Sequence, residues 1–387
     1  MNSIALSRVA ITVACLILLG GLLTVALLEH RRRFAVEAGE PIVSSEARGC
    51  VKCHKERTPG LYAAWQRGRH AQVAVDCMGC HRAQPADVGS SHHEGQWIVA
   101  LPSPARCGSC HPKQLAEFRR SRHMDAAACV REAESKLGAF PEALSQLGRC
   151  KRCHGQREET DPSGRPSPKT WPGGGMGRTY ADGSQGNCGA CHTRHEFSLA
   201  LARSPEACGK CHGGPQHPQL GLYTASRHGL RFAALRQEAA LAARPWFPGV
   251  TNRAAPTCAT CHMGATPTRP VTHDVSARLA FQLRDYQHTR RPEFGEARAA
   301  MADVCRACHS DRWFGTALSR MGTAIAEHNK RLGATLKDGN TTPVQAMERV
   351  AAASGLSGEP LYRALLEAAH AGRAGIHAAA CGMGQEQ

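Results

Sequence analysis

The residues best suited to chemistry in this 387-residue chain are its cysteines and the histidines beside them. Sixteen of the nineteen cysteines fall in one pattern, Cys-x-x-Cys-His, repeated eight times with no change of spacing. The repeats are Cys50-Cys53-His54, Cys77-Cys80-His81, Cys107-Cys110-His111 and Cys150-Cys153-His154, then Cys188-Cys191-His192, Cys208-Cys211-His212, Cys258-Cys261-His262 and Cys305-Cys308-His309. Two thiols three positions apart on a helical turn reach both vinyl groups of one porphyrin, and the adjacent histidine supplies the proximal iron ligand. A disulfide framework would show irregular spacings, and a single motif could be a redox dithiol. Eight identical motifs behind an apolar N-terminal run point instead to eight covalently bound haem c groups with their iron. Cys15, Cys129 and Cys381 stand outside the pattern.

Iron in such a group takes a second axial ligand. Thirteen histidines lie outside the motifs. His70, His92 or His93, His123, His195, His228, His273 and His288 are the candidates, each with a plainer reading as a surface or propionate-bonding histidine. Met263 follows His262 and could ligate iron, but packing is the simpler role for it. Histidine on both faces of every iron would make the chain an electron wire. One open iron would make it an enzyme.

The elements that must hold these residues are unusual. Aromatics are only 5% of the chain, and it carries 22 prolines and 39 glycines. Large apolar side chains are therefore too scarce to fill a core of this size, and porphyrins are expected to form the interior. The fold class expected is mainly α with much irregular structure and little strand: a multihaem cytochrome c wrapped around eight haems. An approximate repeat follows three motifs, Trp65…His70, Phe118…His123 and Tyr223…His228. Each motif is thus expected to open a short helix whose later histidine returns to cap a haem. The stretch from Asp161 to Asn187, rich in Gly, Pro and Ser, reads as a long loop, and such loops usually carry function.

Three regions are expected: a transmembrane signal-anchor over 1–33, an octahaem domain over 34–310, and a helical C-terminal region over 311–387. The anchor rests on twenty uncharged residues from Val9 to Leu28, long enough at about 1.5 Å per residue to span a bilayer core. A cleaved signal peptide is the alternative. Arg31, Arg32 and Arg33 after the span favour a cytoplasmic C-terminal side. Covalent haem attachment happens outside the cytoplasm, so the chain is expected on the bacterial inner membrane with its bulk in the periplasm. In the tail, Phe314, Leu318, Met321, Ile325, Leu332 and Leu336 recur at helical spacing. Val344 to Ala353 and Pro360 to Ala380 read as two further helices, and these long C-terminal helices suit either packing or subunit association.

The formal charge of +16 would ordinarily suggest nucleic acid. Eight haems bring roughly sixteen propionate charges, so the basic residues read as internal counter-ions and no nucleic acid is expected. A basic entrance could also steer small anions such as nitrite.

Beyond the haem motifs, CGACHTRHEFSLALARSPEACGKCHGGPQHPQLGLYTASRHG (188–229), APTCATCHMG with THDV (255–275), Met301 to Ser310 and the loop Trp171 to Cys188 resemble the octahaem hydroxylamine oxidoreductase family. The resemblance implies a largely helical, irregular fold, a homotrimer, and an active haem fourth in order, at Cys150, Cys153 and His154. It also implies a proton-handling histidine after the sixth motif, here His217. Its usual Asp neighbour is replaced by Gln216, whose amide cannot take a proton at neutral pH. Oxidising members carry a C-terminal Tyr that cross-links to the active haem of the next subunit. No Tyr follows Tyr362 here, and the resemblance is to the reductive members that lack it. The lysine-ligated CxxCK of ammonia-forming nitrite reductases is also absent.

The expected activity is reduction of hydroxylamine or nitrite to ammonium at one open haem. A quinol-oxidising membrane cytochrome or another c-type cytochrome would be the redox partner. A hydroxylamine- or hydrazine-oxidising dehydrogenase and a non-enzymatic multihaem electron-transfer protein are the alternatives.

Overall fold

The computed structural model describes residues 20, 21, 24, 40–137, 141–213, 219–252, 255–279, 293–316, 319 and 323. Residues up to Asp76 form one compact unit, and those from Cys77 onward form a second.

In the first unit, α1 (Arg48–Arg57) carries the first motif. It closes where Thr58 N–H donates to His54 O at 3.0 Å, and α2 (Pro59–Arg67) begins at once with a proline in its first turn. That placement costs no hydrogen bond, because the first helical N–H groups have no intrahelical acceptor. Tyr62 and Trp65 on α2 pack against Ala71, Val43 and Val51. Ala71 belongs to the short α3 (Arg69–Gln72), which also carries His70. Trp65 Nε1–H finds Val75 O at 3.0 Å, and Asp76 accepts from Ser44 N–H at 2.8 Å.

The second unit opens on α4 (Cys77–His81), a single turn holding the second motif. Strands β1 (Ser90–His93) and β2 (Gln96–Val99) follow as an antiparallel hairpin in register Ser90↔Val99 to His93↔Gln96. They form the one sheet among the described residues, so the expectation of little strand holds. Short helices make up most of the rest: α5 (Pro104–Gly108), α6 (Pro112–Arg120), α7 (Ala128–Leu137) and α8 (Pro141–His154). After a long loop come α9 (Leu199–Arg203), α10 (Pro205–His212), α11 (Gln219–Ala225), α12 (Arg227–Ala234), α13 (Cys258–Met263) and α14 (Glu293–Arg306).

The motifs do not all open helices. The fourth and sixth sit at the C-terminal ends of α8 and α10, and the eighth begins within the last turn of α14. A motif needs one helical turn and no more. His111, His192 and His309 each donate N–H to the carbonyl of their own first cysteine at 2.9 Å, closing that turn whatever precedes it.

Apolar packing is sparse. In the second unit Phe232, Ala239 and Ala255 form a cluster with Tyr223, Leu235 and Leu241 against it, and alanines dominate the other buried apolar positions.

The expected transmembrane anchor and inner-membrane location are corrected. Among the described residues no helix is long and apolar enough to cross a membrane. Twenty apolar residues meet a length criterion, but spanning requires one continuous apolar helix. Within Val9 to Leu28 the described residues are Gly20, Gly21 and Thr24, where the Thr24 hydroxyl bonds back to the carbonyls of Gly20 and Gly21. The helices expected beyond Thr316 lie outside the described residues apart from 319 and 323.

Candidate haem centres

A histidine ligates iron through a neutral nitrogen, and its second nitrogen must be held by something else. His81 Nδ1 lies 2.8 Å from Val99 O on β2, His154 Nδ1 lies 2.7 Å from Ala126 O and His212 Nδ1 lies 3.3 Å from Gln219 Oε1. In the first unit His54 Nδ1 lies 2.8 Å from Thr58 Oγ1. Each contact leaves Nε2 as the atom available to a metal. Burial favours the neutral ring at five of the histidines near the motifs. His123 is held down to about 4 by burial, then by His212 and His262, and burial likewise lowers His212, His228, His262 and His273.

Four motif histidines each face one histidine from outside the motifs. Ring centroids are 6.2 Å apart for His81 and His195, 6.1 Å for His212 and His123, 6.4 Å for His192 and His273, and 6.1 Å for His309 and His228. Two metal–nitrogen bonds of about 2 Å each, with the depth of two half-rings, span roughly 6 Å. These separations therefore fit one iron between each pair. Direct stacking is much closer, as where Trp313 lies on His309 at 3.9 Å.

Four candidate distal ligands, His123, His195, His228 and His273, thus stand opposite a motif histidine. The repeat predicts that its later histidine returns to cap a haem without saying which; His123 stands opposite the sixth motif and His228 opposite the eighth. His70 lies in α3. His92 and His93 are exposed in the hairpin, where the His92 ring meets Trp97 edge-on at 5.5 Å. His288, Gln216 and His217 lie outside the described residues.

The attachment thiols of different motifs also meet. Cys107 hydrogen-bonds Cys188, which pulls Cys107 down to about 7 and pushes Cys188 up. Cys208 bonds Cys258 in the same way, and Cys153 bonds Cys211. Cys191 is near enough to Cys208 and Cys211 to raise both. Cys261 is pushed up to about 12 by burial, with Cys305 the next cause. Motifs three to eight therefore form one contiguous set, and His195, three residues past His192, ties the second motif to it.

Residues outside the motifs shape these centres. Buried Glu117 on α6 accepts from His273 N–H at 2.9 Å, with its Oε2 3.6 Å from His273 Nδ1. Arg278, 2% exposed, donates to the carbonyls of Cys261 and Gly264 that end α13. Neither residue has a signal in one sequence, because each acts on a motif remote from it along the chain.

Comparison with known proteins points to the same class. The family described as "Cytochrome c554 and c-prime" matches residues 106–170, and "Seven times multi-haem cytochrome CxxCH" matches residues 174–336. The curated "Probable nitrite reductase-hydroxylamine oxidoreductase fusion protein" of Kuenenia stuttgartiensis is 25% identical over 371 residues, covering 73% of this chain. The chain carries the family signatures of multihaem c-type cytochromes and is similar to hydroxylamine oxidoreductase-like proteins. Such a cytochrome c holds its haems covalently, and the paired histidines are where its iron fits. The chain spans 36% of the length of the curated relative. Among solved structures, a "Hypothetical multiheme protein" superposes with TM-score 0.67 at 23% identity, over 84% of this chain and 85% of the other. A reducing HAO-like protein complex of Kuenenia stuttgartiensis gives TM-score 0.56 at 24% identity, over 84% of this chain and 72% of the other. At these identities the likeness is one of fold.

Proposed function

We propose that this cytochrome carries eight haems, one at each motif, and reduces hydroxylamine or nitrite to ammonium at the haem attached through Cys150, Cys153 and His154. Nitrite takes up six electrons and eight protons to give ammonium and two waters; hydroxylamine takes up two electrons and three protons to give ammonium and one water. The observation that carries this reading is the contiguity of the motifs, with four histidine pairs at iron-ligating separation. A connected reservoir suits a reaction needing several electrons at one site. Haem iron held at the motifs would supply one-electron transfer and a site for the nitrogen of the substrate. This chain's own residues fix the tautomers of the histidine ligands. Ala126 O does this for His154, and the loop over 155–187 bonds directly to the fourth motif through Met176 N–H to Cys153 O and Gly177 N–H to His154 O. His217 is the proton donor in this proposal; Gln216 beside it stays neutral at every working pH. The curated relative named as a nitrite reductase-hydroxylamine oxidoreductase fusion and the reducing complex with the same fold support the reductive direction. A c-type cytochrome delivers the electrons.

The test is reduced-dye-dependent turnover of hydroxylamine and nitrite. His217→Ala is expected to lower kcat on the order of a hundredfold. Wild-type protein that turns over neither substrate would end the proposal. The second reading, an electron conduit without catalysis, is favoured by the histidine pairs themselves, since each pair would hold an iron between two imidazoles and leave no place for substrate. A high-spin ferric EPR signal that responds to hydroxylamine separates the two.

A further inference from the structure

The loop between the fourth and fifth motifs buries a guanidinium that shares its one nearby carboxylate with a second cation. Arg178 has 0% exposure. Its backbone is tied toward both motifs. The preceding Gly177 N–H bonds His154 O at 2.9 Å, and Arg178 O accepts from Gly186 N–H at 2.8 Å, two residues before Cys188. Around the guanidinium, the rings of Trp171 and Tyr180 lie 5.4 and 5.7 Å from Cζ. A second guanidinium, that of Arg194, lies 5.1 Å from the same Trp171 ring. The anion within reach is Glu158, whose Oε1 stands 2.9 Å from Arg178 Nε without the alignment of a hydrogen bond. Nη1 and Nη2 of Arg178 have no hydrogen-bond partner, and neither does Glu158 Oε2.

Guanidinium does not lose its proton in a protein, so two cations face one carboxylate. Burial also raises Glu158, against the pull of Arg178, and raises Tyr180, so the phenol stays neutral. Cationic charge in excess of the carboxylate beside it is unfavourable where water is excluded. The paired Nη groups present the fork that matches two oxygens on one centre.

We propose that Arg178, backed by Arg194, is a binding site for a two-oxygen monoanion. That chemistry has two sources here: a propionate of the haem attached at the fourth or fifth motif, or a free nitrite-type anion. The site rests on the haem attachment read above and does not depend on the proposed reduction.

The experiment uses haem-loaded protein, wild type, Arg178→Lys and Arg194→Gln, the last at a position that still reaches solvent. Haem potentials are followed by spectroelectrochemical titration, and binding of sodium nitrite and of acetate to the oxidised protein by calorimetry. If a propionate is the ligand, one haem's midpoint potential falls in Arg194→Gln, which removes a charge, and by less in Arg178→Lys, which keeps the charge and loses the fork, while anion binding is unchanged, because a less compensated propionate favours ferric iron. If a free anion is the ligand, nitrite and acetate bind at least tenfold more weakly and the potentials hold. Haem-loaded variants unchanged in both respects overturn the proposal. Should Arg178→Lys fail to fold, Arg194→Gln and a high-resolution map of wild-type haem-loaded protein decide. Two oxygens of one anion at the Nη atoms support the site, and only water or protein carbonyls there overturn it.

Discussion

Glu117 is the clearest case of a single side chain acting on a centre it does not ligate. Its carboxylate lies beside His273, whose ring faces His192 at 6.4 Å. A carboxylate near the outer nitrogen of a ligating histidine raises its basicity and fixes its orientation. Negative charge there favours ferric iron. Glu117→Gln keeps the acceptor for the His273 backbone N–H and removes the charge. The midpoint potential of that haem should therefore rise, by an amount on the order of 1 kcal/mol, or roughly 40 mV for a one-electron couple. A redox titration resolving individual haems checks this, and an unmoved potential at full haem content would show that the carboxylate only positions the backbone.

At the scale of elements, the packing of the 155–187 loop on the fourth motif depends on Gly155. It has φ +92°, and a Cβ there would stand 2.5 Å from Arg178 N and 2.6 Å from Gly177 C. Gly155→Ala should cost about 2 kcal/mol, from a left-handed backbone and a clash with main chain that cannot swing aside. Thermal unfolding of haem-loaded protein gives the measurement, and a midpoint equal to wild type would mean the loop can shift freely. The start of α10 supplies a pH test. Arg236 and then Ser204 hold the Glu206 carboxyl down to about 2, with Arg236 Nη1 2.5 Å from Glu206 Oε1. The folded state thus binds fewer protons than the unfolded one between the ordinary carboxylate range and about pH 2. The stabilisation is complete above pH 4.5 and is lost as pH falls through about 2. Both side chains are about half exposed, so solvent screening limits the contribution to under about 1 kcal/mol. Glu206→Gln should lower the melting temperature slightly at pH 6 and leave it unchanged near pH 2; equal losses at both would refute an ionic origin.

For the whole molecule, the interior and the redox function have one material cause. The apolar clusters are a few residues each and rich in alanine, too little to hold the described fold by side-chain burial alone. Folding is therefore coupled to haem attachment, as in small metal-bound domains. Chain made in cells lacking cytochrome c maturation should show little helical circular dichroism and rapid proteolysis. Mature chain should carry eight thioether-linked haems by pyridine haemochrome assay. A well-folded, protease-resistant haem-free chain would refute the coupling.

The motifs were legible because attachment is local chemistry: five consecutive residues in one turn hold two thiols and one imidazole, and a chain records five consecutive residues directly. The helical class and the scarcity of strand followed from the same scarcity of large apolar side chains. The partners of the motif histidines were not legible. His195 belongs opposite His81, and His228 opposite His309, and nothing near either residue in sequence says so. Nor does a loop rich in glycine announce that it buries Arg178. Those pairings arise where separate short helices pack across a shared gap, so only the tertiary structure decides them. An apolar run, likewise, can count residues toward a bilayer, while crossing one is a property of a continuous helix.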